Sequence, residues 1–174
     1  MAVLRVRKYG ESALRRRADA VGAITPEIRA IVADMIDTMY DEVGIGLAAP
    51  QVGVPLRLVV MGDDQTRQAR ALVNPVITER GGQVTAEEGC LSLPGIFAPV
   101  TRAAWVTVEA SDLEGQPLRI AGQGLLARVF QHEIDHLDGV LFIDHLDALT
   151  RDRIKRKIKK EGLSEDARPH AFAL

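Results

Sequence analysis

The stretch from Gly124 to Asp138 constrains this chain more than any other, because it sets Gln131-His132-Glu133-Ile134-Asp135-His136 inside an apolar helical pattern. Leu125, Leu126, Val129, Phe130, Ile134 and Leu137 lie on or near one face, and Gly139 is a natural stop after the last turn. A helix with such a face must be covered by other elements. His132 and His136 are one helical turn apart, so both imidazoles can point at one metal ion. Glu133 is rotated to the side, where it can reach a water activated by that ion and act as a general base. The same H-E-x-x-H pattern also occurs where histidines simply sit at the surface or in satisfied core positions. Its place on a strongly amphipathic helix favours the metal reading.

A catalytic centre of this kind needs three protein ligands and an open position. In one metalloprotease pattern the helix ends in Gly and a third His follows; Gly139 is present, but Phe142 stands where that His belongs. A second pattern takes a Glu from a later helix, and Glu161, the only Glu of the last helix, lies at its far end. Cys90 is the better candidate. It sits in Glu87-Glu88-Gly89-Cys90-Leu91-Ser92-Leu93-Pro94-Gly95, where glycines and a proline indicate a shaped turn, and a thiolate binds a divalent ion strongly. A lone cysteine is ordinarily a small buried hydrophobe. Being single, it excludes an intrachain disulfide and makes a reducing, cytoplasmic location the default. A third segment, Gly44-Ile45-Gly46-Leu47-Ala48-Ala49-Pro50-Gln51-Val52-Gly53, brings two glycines that let backbone approach a ligand. Its Gly-x-Gly lacks the later glycine and the preceding strand of a dinucleotide site, and a plain turn is the other reading.

The rest of the chain supplies the cover. Thr25-Pro26 opens a helix whose stripe runs Ile28, Ile31, Val32, Met35, Ile36, Met39, Tyr40 and Val43, with Gly44 closing it. Strands are expected over 55–61, over 71–78 with Pro75 marking an edge or bulge, and over 105–110 and 117–120 as a hairpin around 112–115. The polar run 63–70 reads as a loop, and 140–143 as a short apolar strand. A last helix over 147–161 carries Arg151, Arg153, Lys155, Arg156, Lys157, Lys159 and Lys160. The expected class is α+β: antiparallel or mixed β-sheets packed around a central HExxH helix, with an N-terminal helix and a basic C-terminal helix. With 174 residues, a single domain over 1–165 and a loose tail over 166–174 are expected. The net charge of -2 argues against a coat for nucleic acid or anionic membrane, and no apolar run approaches the ~20 residues of a membrane-spanning helix. The first residues lack the pattern of a secretory signal.

Taken together, the three segments resemble the signature motifs of the peptide deformylases, G-x-G-x-A-A-x-Q, E-G-C-x-S and Q-H-E-x-D-H, in the family's order and at similar spacing. The resemblance spans nearly the whole chain. It implies that Cys90, His132 and His136 hold one divalent ion, usually iron(II), with zinc, nickel or cobalt able to substitute. It implies a hydrolase that removes the formyl group from the N-terminal methionine of nascent polypeptides. Glu133 would move the proton, and Gln51 and the Leu91 N–H would stabilise the oxyanion. The methionine slot would be lined by Gly44, Ile45, Gly46, Glu88, Leu125, Val129 and the edge of His132. Backbone of Ile45, Gly46 and Gly89 would pair with the extended substrate. Glu88 and Arg102 resemble the family's ion pair behind Cys90, and Asp135 either orients a ligand histidine or faces solvent. Phe97 stands where some members carry an arginine that contacts the peptide. The short region between Val60 and Leu72 favours the compact bacterial type.

The basic helix reads either as a solvated face or as a ribosomal RNA contact near the nascent-chain exit. No membrane and no specific DNA partner is expected, and neither His145 nor His170 is expected to bind the metal. Two alternatives stay beside this reading. A metallopeptidase would cleave internal bonds without needing a formyl group. A metal-stabilised binding module would need a fourth protein ligand, and Asp135 or Asp138 would have to leave its helix face to supply one.

Overall fold

A computed structural model describes residues 2–63, 66, 68–163 and 174. The first helix, α1 (Pro26–Asp41), begins as its sequence dictates: Pro26 takes the first position and the Ile28 N–H donates to the Thr25 hydroxyl at 3.3 Å. It ends earlier than Gly44. Val43 takes the left-handed conformation (φ 58°), so that its own N–H and that of Gly44 turn back to the carbonyls of Tyr40 and Met39.

Among the described residues seven strands follow: β1 (Gly46–Ala48), β2 (Leu58–Asp63), β3 (Gln68–Gly81), β4 (Val84–Cys90), β5 (Leu93–Arg102), β6 (Trp105–Ser111) and β7 (Pro117–Gln123). Five form an antiparallel sheet in the order β1-β2-β3-β6-β7, while β4 and β5 pair separately. Side-chain alternation along β2 divides the interior. Leu58 and Val60 pack with Val32, Met35 and Met39 of α1. Val59 and Met61 pack on the other face with Val129 and Phe130 of the second helix, α2 (Gly124–Leu137). Ten of the fourteen residues of α2 are buried, which makes it the central helix the apolar pattern demanded. The amide of Gln131 pins it in place, accepting from the Ala103 N–H and donating to the Ala103 carbonyl, both at 3.0 Å. A third cluster joins β4–β5 to Leu141, Phe142 and Ile143, with Ile154 and Ile158 of α3 (Ala148–Glu161) against its edge.

The α+β expectation holds, with corrections at three places. Residues 140–143 do not form a strand; a 3-10 turn covers Phe142–His145 instead. The Asp144 carboxylate accepts the Leu141 N–H at 2.9 Å and closes the turn locally, and a short apolar run does not distinguish the two by periodicity. Within the predicted loop over 63–70, residues 63 and 68–70 belong to the ladder, with Met61 opposite Arg70, Gly62 opposite Ala69 and Asp63 opposite Gln68, while 64, 65 and 67 lie outside the described residues. Polar residues continue a hairpin whose backbone bonds do not depend on side-chain hydropathy. The strands β4 and β5 are absent from the sequence reading, since Gly, Glu and Pro interrupt any apolar alternation there. The bulge expected at Pro75 is present as a register shift between Val73 and Val76. The tail over 166–174 lies outside the described residues except for Leu174.

Candidate metal centre

Cys90 ends β4, and the Cys90–Leu93 pairing leaves only Leu91 and Ser92 for the turn. That turn aims Sγ at α2, where the Nε2 of His136 lies 3.4 Å away and that of His132 a further 3.2 Å on. The three donor atoms all lie within 4.8 Å of one another, and all three residues are buried. Three converging donors, two imidazole nitrogens and one sulfur, match the ligand count of a catalytic divalent site.

The surrounding charges fit an ion. Burial holds His136 well below the usual imidazole range, so it is neutral, as a ligand must be. Burial pushes the Cys90 thiol up to about 12, against the opposing bonds from Ser92, and the nearby Glu133 adds to the rise. Burial, with the Glu88 charge behind it, likewise raises Glu133 well above the carboxylate range. Both Glu133 carboxylate oxygens are buried without a hydrogen-bond partner among the described residues. An orphaned carboxylate beside a thiol is costly by itself and is relieved by a cation among them.

Glu88 fixes the orientation of His132. It is fully buried, and burial alone would raise its pKa; the bonds from Arg102 and His132 outweigh that and hold it far below the carboxylate range. Arg102 donates through Nε at 2.8 Å and Nη2 at 2.9 Å, and Arg128 donates through Nη1 at 2.6 Å. The His132 Nδ1 lies 2.9 Å from the same carboxylate. An ionised carboxylate only accepts, so Nδ1 donates to Glu88 and Nε2 is the ring atom left facing the centre. The Glu88–Arg102 pair is therefore an interior brace and not a surface ion pair. Asp135 acts one step further out. Its carboxylate receives Arg102 Nη1 at 2.6 Å and lies 2.7 Å from His145 Nε2, so it neither touches a candidate ligand nor stands free in solvent.

The glycine-rich segment closes the other side. A Cβ on Gly46 would lie 2.9 Å from Glu133 Oε1, and one on Gly44 would lie 2.8 Å from the Leu91 side chain. Only glycine lets this backbone pass so close to both. Gln51 is buried; its Oε1 accepts the Ala48 N–H at 3.0 Å, and its Nε2 donates to Ser92 Oγ at 3.2 Å and faces Cys90 Sγ at 3.7 Å. Ile45, Leu125 and Val129 line one cleft of about 590 Å³, with Leu125 half exposed at its rim. The Ile45 carbonyl is already committed to the Gly62 N–H. The Phe97 ring lies over Gly89, where a Cβ would approach it to 2.5 Å.

Sequence reasoning passed over Arg128, Ser92 and Leu174. Arg128 left a signal: it sits four residues before His132 and eight before His136, a charge on the face that carries the histidines.

The profile of the family described as Polypeptide deformylase matches residues 3–152. The chain belongs to that family. A protein named peptide deformylase from Alkalilimnicola ehrlichii is 48% identical over 162 residues, covering 92% of this chain and 91% of that protein. One of the same name from Nitrosococcus oceani is 47% identical, with 92% and 96% covered. Among solved structures, a peptide deformylase from Legionella pneumophila superposes with a TM-score of 0.86 at 44% identity, covering 91% of this chain and 95% of that one. Another from Ehrlichia chaffeensis, in complex with actinonin, gives 0.86 at 36% identity over 92% and 99%. The enzyme is thus a metal-dependent hydrolase that removes the formyl group from the N-terminus of nascent polypeptides. The buried Cys90, His132 and His136 group agrees with a catalytic metal ion. None of its described helices is long and apolar enough to cross a membrane.

Proposed function

We propose that Cys90, His132 and His136 hold one iron(II) ion, with zinc, nickel and cobalt as substitutes. The observation that carries this is the convergence of their donor atoms within 4.8 Å beside a buried, unpartnered Glu133 carboxylate. When bound, the ion supplies Lewis acidity, lowering the pKa of water toward about 7 and polarising the formyl carbonyl. Glu133 takes the proton of the attacking water and passes it to the leaving amine, giving formate and a free methionine N-terminus. The oxyanion is received by the Gln51 side-chain amide and the Leu91 N–H, whose donors are fixed in place beforehand. Gly44, Ile45, Gly46, Glu88, Leu125 and Val129 shape the methionine slot, and Gly89 backbone pairs with the peptide beyond it. With the Ile45 carbonyl engaged by Gly62, that residue has its N–H to offer.

Residues 1–165 act as one catalytic domain in the cytoplasm, where formylated chains emerge. The basic face of α3 offers a transient ribosome contact, which added salt would weaken.

Formate release from a formyl-methionyl peptide tests the assignment, using protein prepared anaerobically with iron(II). E133A should retain one ion per chain and lose about 10²–10⁴ in kcat. C90A should lose the ion or the turnover. Unchanged turnover in both variants would overturn these roles.

A further inference from the structure

The backbone that this reading reserves for substrate is already engaged. Leu174 donates its N–H to the Gly89 carbonyl at 3.2 Å and accepts the Leu91 N–H at 3.3 Å. Its side chain is 1% exposed and joins the cluster that contains Val129, with Ile45 packed against it. It also lines a cavity with Leu125 and Arg128. One residue thus engages the peptide-pairing edge and the oxyanion donor, and its side chain packs in the cluster that holds two of the residues assigned to the slot.

We propose that Leu174 is a built-in occupant of the methionine slot and competes with the formyl-methionyl substrate. This rests on the function proposed above. The chemistry is that of an added strand: main-chain bonds to Gly89 and Leu91 supply the docking, and an apolar side chain of about methionine's volume supplies the fit. Leucine and methionine are close in volume and hydropathy, so a slot shaped for one admits the other. While Leu174 is bound, the Leu91 N–H is spent and cannot serve an oxyanion.

The same chain can supply the occupant. Leu163, just beyond α3, packs against the cluster that includes Cys90, so the segment departs from the side of the molecule where the centre lies. Eleven residue steps separate Leu163 from Leu174 and span up to ~36 Å, enough to cross a domain of this size. Occupancy reduces apparent affinity by the fraction of time the slot is open, so a slot open about a fifth of the time raises KM about fivefold.

The test compares wild type, L174D and L174M with iron(II) loaded. L174D should lower KM for a formyl-methionyl tripeptide about three- to tenfold, whereas L174M should keep KM at or above the wild-type value. Amide exchange at Leu91 should be slow in wild type and fast in L174D. A capped peptide spanning 168–174 should inhibit L174D competitively. Equal KM in wild type and L174D, with equal exchange at Leu91, would sink the proposal while leaving deformylation intact. A wild-type KM that climbs with enzyme concentration would assign the occupant to a second copy and overturn the intrachain form. Absence of formate release from all three proteins would count against the functional reading instead.

Discussion

Glu88 illustrates how much one side chain can settle in an interior. Its carboxylate gathers donors from Arg102 of β5 and from Arg128 and His132, which stand one turn apart on α2. Burying a charge is tolerated only when it is paired and its lone pairs are used, and here they are. Arg128 also donates to the carbonyls of Val100 and Val84, both at 2.8 Å, so it staples α2 to the β4–β5 pair. Replacing it with methionine leaves those carbonyls and part of the Glu88 charge without partners. R128M should cost about 2–4 kcal/mol in urea unfolding, and R128K should recover little of it, since an ammonium cannot reproduce the planar fork.

At the scale of elements, α2 is the frame of the centre: one helical turn sets the imidazole spacing, and apolar packing on the sheet holds the helix still. The turn after α1 is its counterpart on the substrate side. Val43 sits there at φ 58° with its side chain largely exposed. A β-branched residue in the left-handed region costs about 1–2 kcal/mol, of which glycine's extra chain entropy cancels part. V43G should therefore raise stability by about 0.5–1 kcal/mol, read as a higher urea midpoint. If the midpoint falls, the strain reading of this turn is wrong.

For the molecule as a whole, the centre is also a cross-link. It joins the β4–β5 hairpin to α2, so chelating the ion should lower the thermal midpoint, and iron(II) should restore it by an amount that rises with the logarithm of its concentration over Kd. A second tie runs from the N-terminal segment to the turn after α2. Arg15 Nη1 bonds Asp144 at 2.5 Å, and Asp144 accepts the Leu141 N–H. Burial tends to raise Asp144, but the Arg15 and Leu141 bonds prevail and its carboxyl lies below the usual value of 3.8. A carboxyl depressed in the fold contributes stability above its unfolded pKa and loses it as pH falls through the folded one. D144N should therefore destabilise by under ~1 kcal/mol at neutral pH, given solvent screening of a half-exposed pair. The gap to wild type should close below about pH 4; a gap that persists in acid would assign the effect to packing.

The central helix, the spacing of its histidines, the cap and stripe of α1 and the identity of the three donor residues were legible in the sequence, because each depends on local periodicity or on residue chemistry alone. Pro75 announced its bulge for the same reason. The β4–β5 pair was not legible, since its strands are stabilised by each other and by the cluster around Phe142, and the alternation of buried Ile96, Ala98 and Val100 is hidden in hydropathy by the apolar Phe97 and Pro99 between them. Nor could spacing show that Arg128 and Arg102 meet on Glu88, that Asp135 reaches His145, or that Leu174 bonds the backbone of Gly89 and Leu91. Those contacts join residues of different elements, ten or more positions apart, and only the closed fold, which must pair every buried charge and fill every apolar gap, determines which of them form.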